Sequence, residues 1–113
     1  MFRRNKFGAK KTTCTVGHVH DSKKEAARCG VLHQMQADGL ISDLVLQPQF
    51  WFTINGQQIK HRNGRRVGYR SDFEYREGDK LICEEVKGFT ARDWPLRAAI
   101  FIVLYPQYTL REI

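Results

Sequence analysis

Tyr69-Arg70-Ser71-Asp72-Phe73-Glu74-Tyr75-Arg76, a turn at Glu77-Gly78-Asp79, then Leu81-Ile82-Cys83-Glu84-Glu85-Val86-Lys87-Gly88 read as two β-strands in a hairpin. On the first strand a period of two puts Val67, Tyr69, Ser71, Phe73 and Tyr75 on one face. Arg70, Asp72, Glu74 and Arg76 fall on the other, polar face. On the second strand Leu81, Cys83, Glu85 and Lys87 share one face, and Ile82, Glu84 and Val86 the opposite one.

An acid and a lysine two apart on one strand, beside an acid on its neighbour, suit phosphodiester hydrolysis. Two carboxylates hold a hard divalent ion that keeps several waters and still takes a phosphate oxygen. The ion lowers the pKa of a bound water and offsets charge growing on the phosphate, and an ammonium close by stabilises the transition state. The same residues also suit a surface hairpin with cross-strand Lys–Glu pairs.

Composition narrows the class. With 113 residues, 42% of them hydrophobic, the chain forms one globular domain. The longest apolar run, Ala98 to Tyr105, is far short of a membrane span. The start is basic with no apolar core after it, so secretion is not expected. Three cysteines with no close pair fit a reducing cytoplasm better than a disulfide framework.

The net charge of +7 is unevenly spread. Residues 1–11 hold Arg3, Arg4, Lys6, Lys10 and Lys11 with no acid, and residues 55–70 hold Lys60, Arg62, Arg65, Arg66 and Arg70 with no acid. Two basic segments thus flank the acids around Asp72 and Glu85, a pattern that points to a polyanion, nucleic acid first. A solvated tail and a solvated loop are the plainer explanation.

Working outward, residues 1–11 read as a flexible basic arm and residues 12–113 as a single domain. Thr12–Thr15 and His18–His20 suggest a small hairpin. Cys14, His18 and His20 offer only three ligands, one short of a structural zinc site. A helix is predicted from Ser22 to about Ala37, with Ser22 and Glu25 as a capping box, Gly39 as its terminator and an apolar stripe of Ala26, Cys29, Val31, Leu32 and Met35. Gln47-Pro48 interrupts the next apolar run, Ile41 to Ile54, so a turn or edge entry and then a strand over Gln49 to Ile54 are expected. Asn55 to Gly64 reads as a basic connection with turns at Gly56 and Asn63-Gly64. After Gly88, Asp93 and Pro95 open a second helix, Leu96 to Leu104. It is apolar almost all round, and so is expected to be buried on several sides or shared with another subunit. Pro106 ends it, and Tyr108 to Ile113 reads as a last strand. The fold class is α/β (α+β): a mixed sheet of about four to five strands with two helices.

An acid on a helix, an acid on a strand and an acid-x-lysine on the next resemble the PD-(D/E)xK nuclease superfamily. More closely, the chain resembles a small phage and prophage family of endonuclease-like proteins placed in it. The likeness runs through residues 5–11, Asp21-Ser22-Lys23-Lys24-Glu25-Ala26, residues 41–50, Tyr69 to Phe73, Glu84 to Gly88 and Leu110-Arg111-Glu112-Ile113. It implies a restriction-endonuclease-like core, with Asp72 and Glu85 as metal carboxylates, Lys87 as the catalytic lysine and Glu25 as an outer acid on the metal. The superfamily's proline before the aspartate is replaced by Ser71. Glu84 and Glu85 compete for one role, and only Glu85 shares a face with Lys87. Gln47 matches the family's Gln-Pro segment, where a structural turn is expected.

The expected activity is a Mg²⁺- or Mn²⁺-dependent DNA endonuclease with catalytic residues Glu25, Asp72, Glu85 and Lys87, acting in the cytoplasm of a phage's host. Lys10, Lys11, Arg62, Arg65, Arg66 and Arg70 would hold the backbone, and Lys23 and Lys24 would touch the phosphate next to the scissile one. Small phage enzymes of the superfamily include nucleases that resolve Holliday junctions as dimers, so branched DNA and a homodimer through Leu96 to Leu104 are expected by analogy. The alternatives are a nucleic-acid-binding module that keeps the fold without catalysis and a structural phage component.

Overall fold

The computed structural model describes residues 12–13, 19–20, 23–86 and 92–113. The expected basic arm with Lys10 and Lys11, the zinc candidates Cys14 and His18, the cap Ser22 and the lysine Lys87 lie outside the described residues. The protein is α+β: two helices and a mixed four-stranded sheet, with three smaller two-stranded sheets.

The small hairpin forms as antiparallel β1 (Thr12–Thr13) and β2 (Val19–His20). Helix α1 spans Lys23–Ala37. It ends in a Schellman arrangement: Leu40 N–H donates to Met35 O and Gly39 N–H to Gln36 O, with Gly39 at φ +77°. Ala26, Cys29 and Leu32 form its buried stripe, with Met35 packed against them. Val31, expected in that stripe, is exposed, because it lies about a quarter-turn outside the arc that Ala26, Cys29 and Leu32 share.

The main sheet has the order β10 (Tyr108–Glu112), β9 (Lys80–Glu85), β8 (Phe73–Glu77), β3 (Ser42–Leu46). Strands β8 and β9 form the expected antiparallel hairpin, with Phe73 opposite Glu84 and Glu77 opposite Lys80. Strand β10 adds parallel to β9 after helix α2 (Trp94–Leu104). Strand β9 is covered on both faces. Ile82 and Val86 join Ala26, Cys29, Leu32, Phe73 and Tyr75 under α1, whereas Cys83 joins Phe50, Phe52, Tyr69 and Phe101 of α2. Burial pushes the Cys83 thiol up to about 12, so it stays protonated at neutral pH.

Three sequence expectations are refined. Ser42 to Leu46, where a turn or an edge entry is expected, is an edge strand of the main sheet, with a bulge between Ser42 and Val45 and Asp43 at φ 56°. The single strand expected over Gln49 to Ile54 is two pieces, β4 (Gln49–Trp51) and β5 (Thr53–Ile54). β5 pairs with β6 (Gln57–Gln58) through the tight turn Asn55-Gly56, both at positive φ. The first strand of the 69–88 hairpin is also cut. Strand β7 (Gly68–Arg70) pairs with β4, and only from Phe73 onward does the chain pair with β9. Ser71 N–H donates to Pro48 O, and Asp72 bonds Glu84 O through its N–H and Gln47 N–H through its carbonyl. The chain changes partners there, so Tyr69 packs under α2 while Phe73 and Tyr75 pack under α1.

Helix α2 is buried along one face only. Ala98 and Phe101 are inside, whereas Leu96 is 65% and Val103 75% exposed. The expected burial on several sides is thus not met by any described residue. No helix is long and apolar enough to cross a membrane, among the described residues.

The strongest polar tie is Glu84, with no solvent exposure. Its carboxylate accepts from Arg28 Nε at 2.6 Å and Nη2 at 3.0 Å, and from the Tyr75 hydroxyl. Removing one partner of a buried pair strands the other charge. Arg28→Met is expected to lower stability by about 3–5 kcal/mol in urea unfolding, whereas Arg28→Met with Glu84→Leu regains most of the loss.

Candidate active site

Asp72 and Glu85 come side by side because of strand register. The β8–β9 pairing ends with Phe73 opposite Glu84, and Asp72 and Glu85 are the next residue on each side, near enough for the Asp72 charge to act on Glu85. The Asp72 carboxylate accepts the Val86 N–H at 2.7 Å, which locks it to the end of β9. Glu85 points to the face opposite Glu84, accepts a hydrogen bond from the Tyr69 hydroxyl and lines a cleft under α2. Sequence alternation assigned these two faces in the same way: Glu84 is tied to Arg28, and Glu85 opens on the cleft.

Burial, then the neighbouring charge of Asp72, pushes the Glu85 carboxyl up to about 7. The Tyr69 hydrogen bond works in the opposite direction. Desolvation and the Glu85 charge raise the Tyr69 hydroxyl well above its ordinary value. The indole of Trp94 is close enough to favour the charged form of Glu85, yet its buried Nε1 makes no hydrogen bond of good geometry.

The cleft holds about 440 Å³ and is lined by Gln49, Trp51, Arg66, Gly68, Tyr69, Arg70, Glu85, Asp93, Trp94 and Arg97. It adjoins a second cleft of about 680 Å³ lined by His61, Arg62, Asn63, Arg65, Arg66 and Arg97. Arg66 and Arg97 belong to both walls, so the two make one basic channel that leads to Glu85. The arginines reach it from a doubly turned arm. Lys60 bridges to Arg66, and His61 N–H donates to Arg65 O around the Asn63-Gly64 turn. The Gln58 amide fastens the base of the arm, donating to the carbonyls of Phe52, Ile59 and Val67 at 3.0, 2.7 and 3.2 Å.

Of the residues singled out in the sequence, Asp72, Glu85, Arg62, Arg65, Arg66 and Arg70 gather at or beside this channel. Lys23 and Lys24 are exposed on the first turn of α1 and line neither cleft. Glu25 is only 6% exposed on that same turn. Among the described residues, no group of three His, Cys, Asp or Glu side chains is placed to hold a metal ion. Asp72 and Glu85 offer two carboxylates whose mutual repulsion a cation would relieve.

Sequence reasoning missed Arg97, Trp51, Trp94 and Tyr69. Arg97 had a signal, as the only charged residue within Trp94–Leu104. Its Nε bonds Asp93 at 2.8 Å and its Nη1 donates to Gly68 O, which ties α2 to β7. Asp93 was expected to cap the helix, but its side chain is taken by Arg97 and makes no cap bond. Gly68 permits the close β4–β7 approach, since a Cβ there would fall 2.5 Å from Phe50 O.

The raised carboxyl has a stability consequence. The folded chain binds the Glu85 proton more tightly than the unfolded chain, whose ordinary value is 4.5. The stabilisation is therefore complete below about 4.5 and lost as pH rises through about 7. The stability advantage of wild type over Glu85→Gln should shrink by on the order of 2 kcal/mol between pH 5 and pH 8, read by thermal or urea unfolding without divalent ions.

Neither curated proteins nor solved structures yield a match to the chain. Residues 4–113 match the family described as "Protein of unknown function (DUF1064)", and the chain belongs to that family.

Proposed function

We propose that the protein is a Mg²⁺- or Mn²⁺-dependent DNA endonuclease of the PD-(D/E)xK type. One observation carries the reading: Glu85, with the charge of Asp72 acting on it, lines a cleft whose walls also hold Arg66, Arg70 and Arg97. The mixed sheet with its two helices agrees with the architecture that the resemblance implies.

Asp72 and Glu85 would hold the cation, which supplies Lewis acidity towards a phosphate oxygen and acidifies water at neutral pH. Tyr69 orients the Glu85 carboxylate through its hydroxyl. Arg62, Arg65, Arg66 and Arg70 neutralise backbone phosphates along the channel, which gives affinity without base readout and strong salt dependence. Lys87, two residues past Glu85, would bring an ammonium to the scissile phosphate. Branched phage DNA as substrate and a homodimer through the exposed Leu96, Ile102 and Val103 of α2 belong to the same proposal. The second reading is a binding module without catalysis. It is favoured by the occupied carboxylates, since Asp72 accepts Val86 N–H and Glu85 accepts the Tyr69 hydroxyl.

The deciding experiment incubates the protein with supercoiled plasmid and a synthetic four-way junction, in Mg²⁺, Mn²⁺ or EDTA. Metal-dependent cutting is expected, reduced at least about 100-fold by Asp72→Ala and by Lys87→Ala. Salt-sensitive DNA binding with no cutting by wild type would leave the binding module.

A further inference from the structure

The Arg66 guanidinium lies over the Trp51 indole in the wall that also contains Glu85. The Arg66 Cζ lies 3.9 Å from the indole centroid, and both side chains line the smaller cleft beside Tyr69, Glu85 and Trp94. The indole is set firmly. Trp51 is paired with Gly68 across β4 and β7, its ring edge is only 2.9 Å from where a Cβ on Gly68 would stand, and its carbonyl accepts the Tyr105 hydroxyl at 2.6 Å. Arg66 is exposed and forms no ion pair with a carboxylate among the described residues, so its recorded side-chain contact is the indole.

A phosphate needs charge but no aromatic surface. Arg62 and Arg65 in the adjoining cleft already provide charge. A stacked indole and guanidinium offer what a nucleobase face seeks, since guanidinium planes and aromatic rings both stack on bases. In an intact duplex both faces of an internal base are covered by its neighbours, whereas an unpaired base has a face to offer. We infer that Trp51 and Arg66 form a stacking platform for an unpaired base of a DNA single strand that lies in the channel next to Glu85. The inference rests on the nucleic-acid part of the proposed function and not on catalysis.

The test is fluorescence anisotropy in EDTA, where no cutting occurs, with a labelled 20-nucleotide single strand and the duplex of the same sequence at one salt concentration. Wild type is expected to prefer the single strand. Trp51→Ala should weaken single-strand binding roughly 5-fold to 100-fold, with a much smaller change on duplex. Trp51→Phe should keep most of the affinity. Arg66→Lys, an exposed change that keeps the charge but loses the plane, should lower the single-strand preference. Equal losses on both DNAs, or none, would overturn the platform and leave the backbone-binding reading standing. No binding of either DNA by wild type would overturn both.

Discussion

The buried carboxylate of Glu84 sets the rest of the structure. A charge with no solvent exposure needs several donors. Those donors come from two other elements, Arg28 on α1 and Tyr75 on β8. Helix, hairpin and central strand are thereby fixed in one register. A slip of one residue on β9 would carry Glu84 to the α2 side and leave Arg28 without its partner. The same register turns Glu85 outward and lays Asp72 beside it. Two adjacent glutamates therefore do opposite work: one closes the core, and the other opens a site.

The site also depends on the chain changing sheets at Ser71 and Asp72. Had the strand continued unbroken from Val67 to Tyr75, Tyr69 would lie on the α1 side with Phe73. Instead Tyr69 stays under α2, where its hydroxyl reaches Glu85. Gln47 and Pro48 make the matching change on the neighbouring segment, with Gln47 at φ 51° and bonded to the Asp72 carbonyl. The Gln47-Pro48 pair is a structural turn, and it places the aspartate.

The alternation of Leu81 to Val86, the α1 helix with its Gly39 terminator and the Gly78 turn were legible because each rests on local periodicity or turn chemistry. What escaped depended on distant partners. The break at Ser71-Asp72 carries no glycine or proline, and it is set by hydrogen bonds to Pro48 and Glu84. The one-sided burial of α2 was hidden because an all-apolar sequence does not mark which face is covered. For the site, the acids could be named from spacing. Trp51, Tyr69 and Arg97 could not, since they come to the cleft of Glu85 from three separate elements. Glu25, assigned by resemblance, sits on α1 and joins no three-member ligand group among the described residues.

Charge distribution explains why such a site must work as a pair of opposites. Burial, with the charge of Asp72 added to it, lifts Glu85 towards neutrality, and the two acids would repel a phosphate. On the proposed reading, the arginines of the channel would draw a polyanion in without cancelling the charge of the acids. On that reading, a cation at the carboxylate pair reverses the sign of that charge, so one strand can pass from guanidinium to metal without crossing a repulsive gap. Without the cation, the positive groups that share the cleft with Glu85 are Arg66, which lies over Trp51, and Arg70 and Arg97. A strand would then rest on that wall by its phosphates and an unpaired base, one step short of the acids.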